Sequence, residues 1–183
     1  MAGDTPRKAV DSFLTPIRKA LSCVTMAVLF VDGKDEKAEH SLSFPGGEPA
    51  TLGKDKRYTL NIRQMYRVVK REDERGPWKV QTTGYFYALT GEDGATILEY
   101  HWHPAGSSPV VVPHLHLEKG AGNLRDDLHR AHIPTGRIAI EDAIRLAIEA
   151  FEVEPLRDDW DAVLKSSQDS FERWRTWGGS GPR

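Results

Sequence analysis

Hydrophobic residues recur at helical spacing near the start of the chain. Over residues 6–22 they fall on one face of a helix, at Val10, Phe13, Leu14, Ile17 and Leu21. Thr5 followed by Pro6 is a typical helix start, because the hydroxyl caps free backbone amides and proline fits the first turn. Pro16 lies inside this helix, so a kink or a break is expected there.

The middle of the chain alternates between apolar and polar residues, which is the pattern of β-strands with one buried face. Strands are predicted over residues 24–31, near 41–44, and over four longer segments: 57–70, 77–89, 95–103 and 110–117. The connections between the longer segments are short and rich in glycine or charged residues. Short connections favour antiparallel neighbours.

Helical spacing returns at residues 140–151 and 156–174. Because strands and helices are segregated along the chain, the pattern predicts an α+β fold. Its antiparallel sheet has about four to five strands, with the N-terminal helix and two C-terminal helices packed on one face. At 183 residues, a single domain over residues 1–177 is expected, and the glycine-rich end at 178–183 is expected to be disordered.

Composition narrows the class of function. The formal net charge is −2, which excludes a strongly basic protein that coats nucleic acid. The single cysteine, Cys23, excludes an intrachain disulfide and a cysteine-ligated zinc or iron–sulfur site. The longest apolar run near the N-terminus covers only residues 26–31, which is too short to cross a bilayer. A cytoplasmic protein without membrane contact is therefore expected.

Four histidines and one glutamate carry the candidate chemistry. His101 and His103 are two positions apart, as are His114 and His116, and residues two apart in a strand share a face. With a six-residue loop between the two strands, Glu99 lies opposite His114 and all five side chains share one face. A slip of one residue would separate the two histidine pairs.

The same counting across the sheet places Gly84 beside His101 and Arg63 beside Gly84, which leaves room for a ligand to approach the backbone. Two histidines can serve as acid and base in RNA cleavage, and arginine can stabilise charge on the phosphate. His101 and His114 are the predicted acid–base pair, with Arg63 as phosphate anchor and no cofactor. The predicted catalytic residues are His101, His103, His114, His116, Arg63 and Glu99.

Two other functions stay open. The two histidine pairs can instead hold one divalent metal ion in a hydrolase or an oxygenase, because imidazole and carboxylate suit Zn, Fe, Mn and Ni. The metal ligands would then be His101, His103, His114 and His116. A non-catalytic protein-binding module is the third function, since residues 141–161 carry eight acidic and two basic residues that can contact a basic partner.

Three short motifs also occur in a recognisable order: aromatic residues at 85–87, a histidine-rich run at 100–104 and a Pro-His-Leu-His run at 113–116, before an amphipathic helix. Over residues 57–152 this order resembles the TumE-like toxin family of bacterial toxin–antitoxin systems. The resemblance implies a toxin that acts on nucleic acid, with the four histidines as matching positions and a cognate antitoxin as partner. The chain differs in its long N-terminal part, its second C-terminal helix and the spacing of the first two histidines. The combined expectation is a ribonuclease-like toxin, or a relative of one, that acts on RNA.

Overall fold

The computed structural model describes residues 2–70, 76–105 and 109–174, and within these ranges it contains four α-helices and nine β-strands. The helices are α1 Pro6–Leu21, α2 Asp126–His129, α3 Ile140–Glu149 and α4 Trp160–Trp174. The strands are β1 Ala2–Gly3, β2 Phe30–Val31, β3 Glu39–Ser43, β4 Ala50–Leu52, β5 Tyr58–Lys70, β6 Trp78–Thr90, β7 Thr96–Trp102, β8 His114–Leu117 and β9 Ile133–Pro134.

All strands belong to one antiparallel sheet with the order β2-β3-β5-β6-β7-β8-β9, while β1 pairs with β6 and β4 pairs with β5. The long hairpin of β5 and β6 forms its centre, and a bulge interrupts their pairing between Met65 and Tyr66. A second irregularity interrupts the pairing of β6 with β7 between Leu89 and Thr90. Both interruptions change which residues lie opposite each other on the strands beyond them.

One face of the sheet is covered by α1 and α3 and forms the core. Tyr66 and Tyr87 are fully buried there, and the ring of Phe13 from α1 lies 5.7 Å from the ring of Tyr66. The hydroxyl of Tyr87 donates a hydrogen bond of 3.0 Å to Oε1 of Gln64, so this buried amide oxygen is satisfied. The core therefore depends on aromatic residues at alternate positions of the central strands.

The first helix runs without interruption from its cap to Leu21. The Thr5 hydroxyl accepts a hydrogen bond from the amide of Lys8 at 3.2 Å, as the Thr-Pro start predicts. Pro16 lies inside the helix without ending it. Its carbonyl oxygen accepts a hydrogen bond of 3.0 Å from the hydroxyl of Ser167 in α4, so the two helices are joined at this turn.

A buried carboxyl group completes the contact between the three long helices. Glu141 of α3 is almost fully buried and lies within hydrogen-bonding distance of the Ser167 hydroxyl. Burial raises the pKa of Glu141, with the hydrogen bond from Ser167 acting in the opposite direction. Since the single hydroxyl proton of Ser167 can be donated to the Pro16 carbonyl, a protonated Glu141 can donate to Ser167 and complete the chain of hydrogen bonds.

The α+β class and the large antiparallel sheet are confirmed, whereas the predicted strand number is wrong. Nine strands occur in the described part of the chain instead of four to five. Four of them, β1, β2, β4 and β9, are only two or three residues long, and so short a segment has no recognisable period. The strand expected over residues 24–31 is restricted to Phe30–Val31.

The helix arrangement also differs from the prediction. The third long helix, α4, packs mainly on α1 and α3 and so forms a further layer instead of lying on the sheet. The short helix α2 was not expected and contacts β8. None of the helices in the described ranges combines the length and the apolar character needed to cross a bilayer. The predicted disordered end at 178–183 lies outside the described residues.

Candidate metal centre

The face of the sheet opposite the core helices carries the histidines. Strands β7 and β8 pair so that His101 lies opposite His114 and Glu99 lies opposite His116. The ring centroid of His101 is 5.6 Å from that of His114 and 5.0 Å from that of His116. The prediction that the two histidine pairs share one face is therefore confirmed for these residues.

The predicted pairing partner of Glu99 is wrong, because the connection between β7 and β8 is longer than six residues. Strand β7 ends at Trp102 and β8 begins at His114, so Glu99 lies opposite His116 and not His114. The register differs from the predicted one by two positions. An even difference keeps every side chain on the same face.

Three imidazoles converge on one point of this face, and we call them the histidine cluster: His101, His114 and His116. One ring nitrogen from each lies within 4.8 Å of the other two. Nitrogen ligands about 2.1 Å from a tetrahedral ion are about 3.4 Å apart, so the three nitrogens would have to move closer together to hold one ion. His114 is buried, and the other two rings are half-buried. The cluster is therefore partly exposed to solvent.

In two members of the histidine cluster, one ring nitrogen is held by a hydrogen bond, which fixes the orientation of the ring. Nε2 of His101 lies 3.0 Å from Oε2 of Glu99, and Nδ1 of His114 lies 2.8 Å from the carbonyl oxygen of Val112. Because a carboxylate and a carbonyl only accept hydrogen bonds, these two nitrogens carry the protons. In the neutral form of each ring, Nδ1 of His101 and Nε2 of His114 are then the nitrogens with a lone pair. This arrangement is typical of histidines that bind metal.

Two further histidines lie next to the cluster. The ring of His103 is 5.8 Å from that of His101, and the ring of His132 is 4.9 Å from His114 and 4.5 Å from His116. Sequence reasoning did not include His132 among the site residues. It directly precedes the two-residue strand β9, which pairs with β8 and brings it to the site. So short a strand has no signal in the sequence.

Burial lowers the pKa of two rings at the site. The pKa values of His103 and His116 lie below the ordinary histidine value because of burial first and the neighbouring His101 second. For His103, the charge of Arg63 contributes in the same direction. A neutral imidazole is the form that binds metal, so the surroundings of His116 favour ligation.

The structure corrects the predicted positions of Arg63 and Gly84. Arg63 lies opposite Phe86, and Phe86 lies opposite His101, so Gly84 is beside neither of them. Gly84 lies opposite Met65, and a Cβ atom built on it would be 2.6 Å from Cε of Met65. The expected space for a ligand at this glycine is therefore filled. Phe86, with its ring 5.0 Å from that of His101, separates Arg63 from the cluster along this row.

Arg67, four positions further along β5 than Arg63, is engaged elsewhere. Its Nε lies 3.4 Å from Oε1 of Glu39, and both side chains are largely exposed. An exposed pair of this kind contributes little to stability. Of these two arginines in β5, Arg63 is therefore the one whose charge acts on a ring at the histidine site, that of His103.

Comparisons of the chain with protein-family models, curated proteins and solved structures find no significant match. The resemblance to the TumE-like toxin family is neither supported nor opposed by this result and stays a prediction.

Proposed function

We propose that the protein is a metal-dependent hydrolase whose divalent ion is held by the histidine cluster. The observation that carries this proposal is the convergence of three ring nitrogens within 4.8 Å of one another. Catalytic zinc sites use three protein ligands and keep a further position for water. The ion would lower the pKa of that water to about 7 and so supply hydroxide at neutral pH. The solvent-exposed part of the cluster is where substrate would enter.

The ligand set favours hydrolysis over oxygenation. Non-haem iron oxygenases typically use two histidines and one carboxylate, with open positions for substrate and oxygen. The carboxylate nearest to this cluster, Glu99, is hydrogen-bonded to Nε2 of His101 and so orients a ligand. Three imidazole ligands, one of them hydrogen-bonded to a carboxylate, are the ligand set of a zinc centre that activates water.

A positive charge near His103, which lies beside the cluster, favours an anionic substrate. Arg63 is exposed on the same face, and its charge acts on the ring of His103. A guanidinium binds phosphate oxygens through paired N–H groups, so a phosphodiester fits this position. We propose the phosphodiester of RNA as the substrate, in agreement with the sequence-based prediction.

A metal titration tests the proposal. Protein stripped with a chelator should bind one equivalent of Zn²⁺ or Co²⁺, and the Co²⁺ spectrum should indicate nitrogen ligands. His116→Ala should lose this binding, whereas the matched control His103→Ala, which removes a ring outside the converging three, should keep it. Failure of the unsubstituted chain to bind either ion at micromolar concentration would exclude the proposal.

Metal-free RNA cleavage is the second candidate function. The observation that favours it is the carboxylate behind His101, since Glu99 can orient this ring as a base while His114, at 5.6 Å between ring centroids, serves as the acid. Arg63 would stabilise the charge on the phosphate. RNA cleavage that survives EDTA, and is lost in His101→Ala but retained in His40→Ala, would favour this function over the metal centre.

A basic protein partner, such as a cognate antitoxin, is also a proposal. Several acids of the stretch 141–161 are engaged within the chain: Glu141 with Ser167, Glu149 and Asp161 with Arg145, Glu154 with Lys54, and Asp159 with Arg157. Glu152 and Asp158 remain exposed. A contact carried by exposed charges should weaken as the salt concentration rises, and co-purification at low and high salt tests it.

A further inference from the structure

The face of the sheet that carries the histidines also carries a continuous row of side chains, which leads from strand β2 to the histidine cluster. Residues that lie directly opposite each other on neighbouring strands share a face. Five successive pairings of this kind connect the residues that we call the open-face row: Phe30, Ser43, Arg63, Phe86, His101 and His114. Neighbouring strands are about 4.8 Å apart, so the row crosses about 24 Å of the sheet. It lies on the side that the core helices α1 and α3 leave open.

Two aromatic rings of the open-face row lie outside the core. Phe30 is 56 % exposed, and Phe86 is half-buried but belongs neither to the core nor to the residues packed against it. The aromatic residues on either side of Phe86, Tyr85 and Tyr87, are buried in the core because side chains alternate between the two faces of a strand. Aromatic rings that face solvent along a binding surface are the usual platforms on which unpaired bases stack.

A cation lies between these two rings. Arg63 is exposed, and within the described ranges its guanidinium makes no ion pair, whereas Nε of Arg67 lies 3.4 Å from Oε1 of Glu39. A guanidinium binds phosphate oxygens through paired N–H groups. The row therefore offers, in order, a ring for a base, a cation for a phosphate, a second ring for a base and the histidine cluster.

We infer that single-stranded RNA crosses the sheet along the open-face row, with bases stacked on Phe30 and Phe86, a phosphate at Arg63 and the scissile phosphate at the histidine cluster. This inference rests on the proposed function, since it names the substrate class of that site. The ring of Phe86 is 5.0 Å from that of His101, so a base stacked on it lies next to the cluster. The bases of a duplex are already stacked on each other and are not presented to these rings, so single strands are selected over duplex RNA.

RNA binding without metal tests the row separately from the metal centre. The probe is a fluorescent 2′-O-methyl oligouridine, which has no free 2′-hydroxyl for self-cleavage, and its binding to the full chain is measured by anisotropy in EDTA. Phe86→Leu and Phe30→Leu should each weaken binding by about 5-fold or more, the effect of losing one stacked base. The matched control is Phe151→Leu, another half-buried phenylalanine, which packs on the core side and should bind as the unsubstituted chain does. Arg63→Gln should weaken binding and lower its salt dependence, whereas Arg67→Gln, with the same change in charge outside the row, should have the smaller effect.

Two further measurements separate stacking from a structural role of the Phe86 ring. Phe86→Tyr keeps a ring and should keep RNA binding, and Phe86→Leu should bind Zn²⁺ as the unsubstituted chain does. Loss of both RNA and Zn²⁺ binding in Phe86→Leu would mean that the ring acts by positioning His101, which would overturn its assignment as a stacking residue. Duplex RNA bound as tightly as the single strand, or unchanged affinity in both leucine variants of the row, would overturn the inference as well. A chain that binds Zn²⁺ but not the oligonucleotide would refute the row and leave the metal centre in place, whereas oligonucleotide binding by a chain that binds no metal would do the reverse.

Discussion

Replacing Glu99 with glutamine removes a charge from behind the histidine cluster without removing the side chain. The Glu99 carboxylate accepts a hydrogen bond of 3.0 Å from Nε2 of His101, and both side chains are less than one quarter exposed. In Glu99→Gln the amide oxygen can still accept this bond, so the ring keeps its orientation. What is lost is the charge that makes the ring a more basic ligand.

The expected loss of metal affinity follows from this geometry. Partners behind a ligand typically contribute about 10-fold to 100-fold in affinity, and charge-assisted hydrogen bonds are roughly twice as strong as neutral ones. Glu99→Gln keeps a neutral bond and should therefore weaken metal binding by about 10-fold, or about 1.4 kcal/mol. Glu99→Ala removes the bond altogether and should approach about 100-fold.

A competition titration with a chromophoric chelator measures these constants, with Co²⁺ or Zn²⁺ as the ion. Glu92→Gln is the matched control, because this substitution makes the same change in net charge. Glu92 is an exposed residue in the turn between β6 and β7. Affinities of Glu99→Gln and Glu99→Ala within twofold of the unsubstituted protein would refute the role of this carboxylate.

Three predictions concern stability and can be measured by urea denaturation. Tyr87→Phe leaves the buried Gln64 Oε1 without its donor and should cost about 1–3 kcal/mol. Gly84→Ala places a Cβ atom 2.8 Å from the backbone oxygen of Trp102 and should destabilise the fold by about 1–3 kcal/mol, whereas an unchanged midpoint would show that the strands can separate. Burial raises the pKa of Glu141 in the folded state, so the folded chain holds this proton where the unfolded chain has released it. Stability from this group is present below the ordinary carboxyl pKa and is lost as the pH rises through the raised value; Glu141→Gln should remove that part of the pH dependence.

The histidine face could be predicted although each predicted register is wrong. Arg63 pairs with Phe86 instead of Gly84, and Phe86 pairs with His101, so both pairings differ from the prediction by two positions. In each hairpin, a turn that is one residue longer than predicted shifts the register by one position. The irregularity near Met65 in the β5–β6 pair, or near Leu89 in the β6–β7 pair, shifts it by a second position. Two odd shifts add to an even one, which preserves the faces. A bulge has no sequence signal of its own, so individual neighbours could not be predicted.

Elements that depend on distant partners were harder to predict than periodic ones. The α1 helix extends over nearly all of its predicted range because its apolar stripe and its Thr5 cap are local signals. The strand that brings His132 to the cluster has two residues and exists only because β8 is there to pair with it. The same holds for α4, whose apolar stripe predicts burial but not whether the partner is a sheet or other helices.

The bond between Ser167 and Pro16 joins residues that are 151 positions apart, whereas His101 and His114 pair within one hairpin. Contacts that are close in sequence form early during folding, because little chain entropy is lost when they close. The histidine hairpin and the central β5–β6 hairpin should thus be in place before α4 closes on α1. During synthesis, the residues of the histidine cluster leave the ribosome before α4 does. If the cluster holds a metal ion as proposed, that ion would be able to bind the hairpin while the C-terminal helix is still being made.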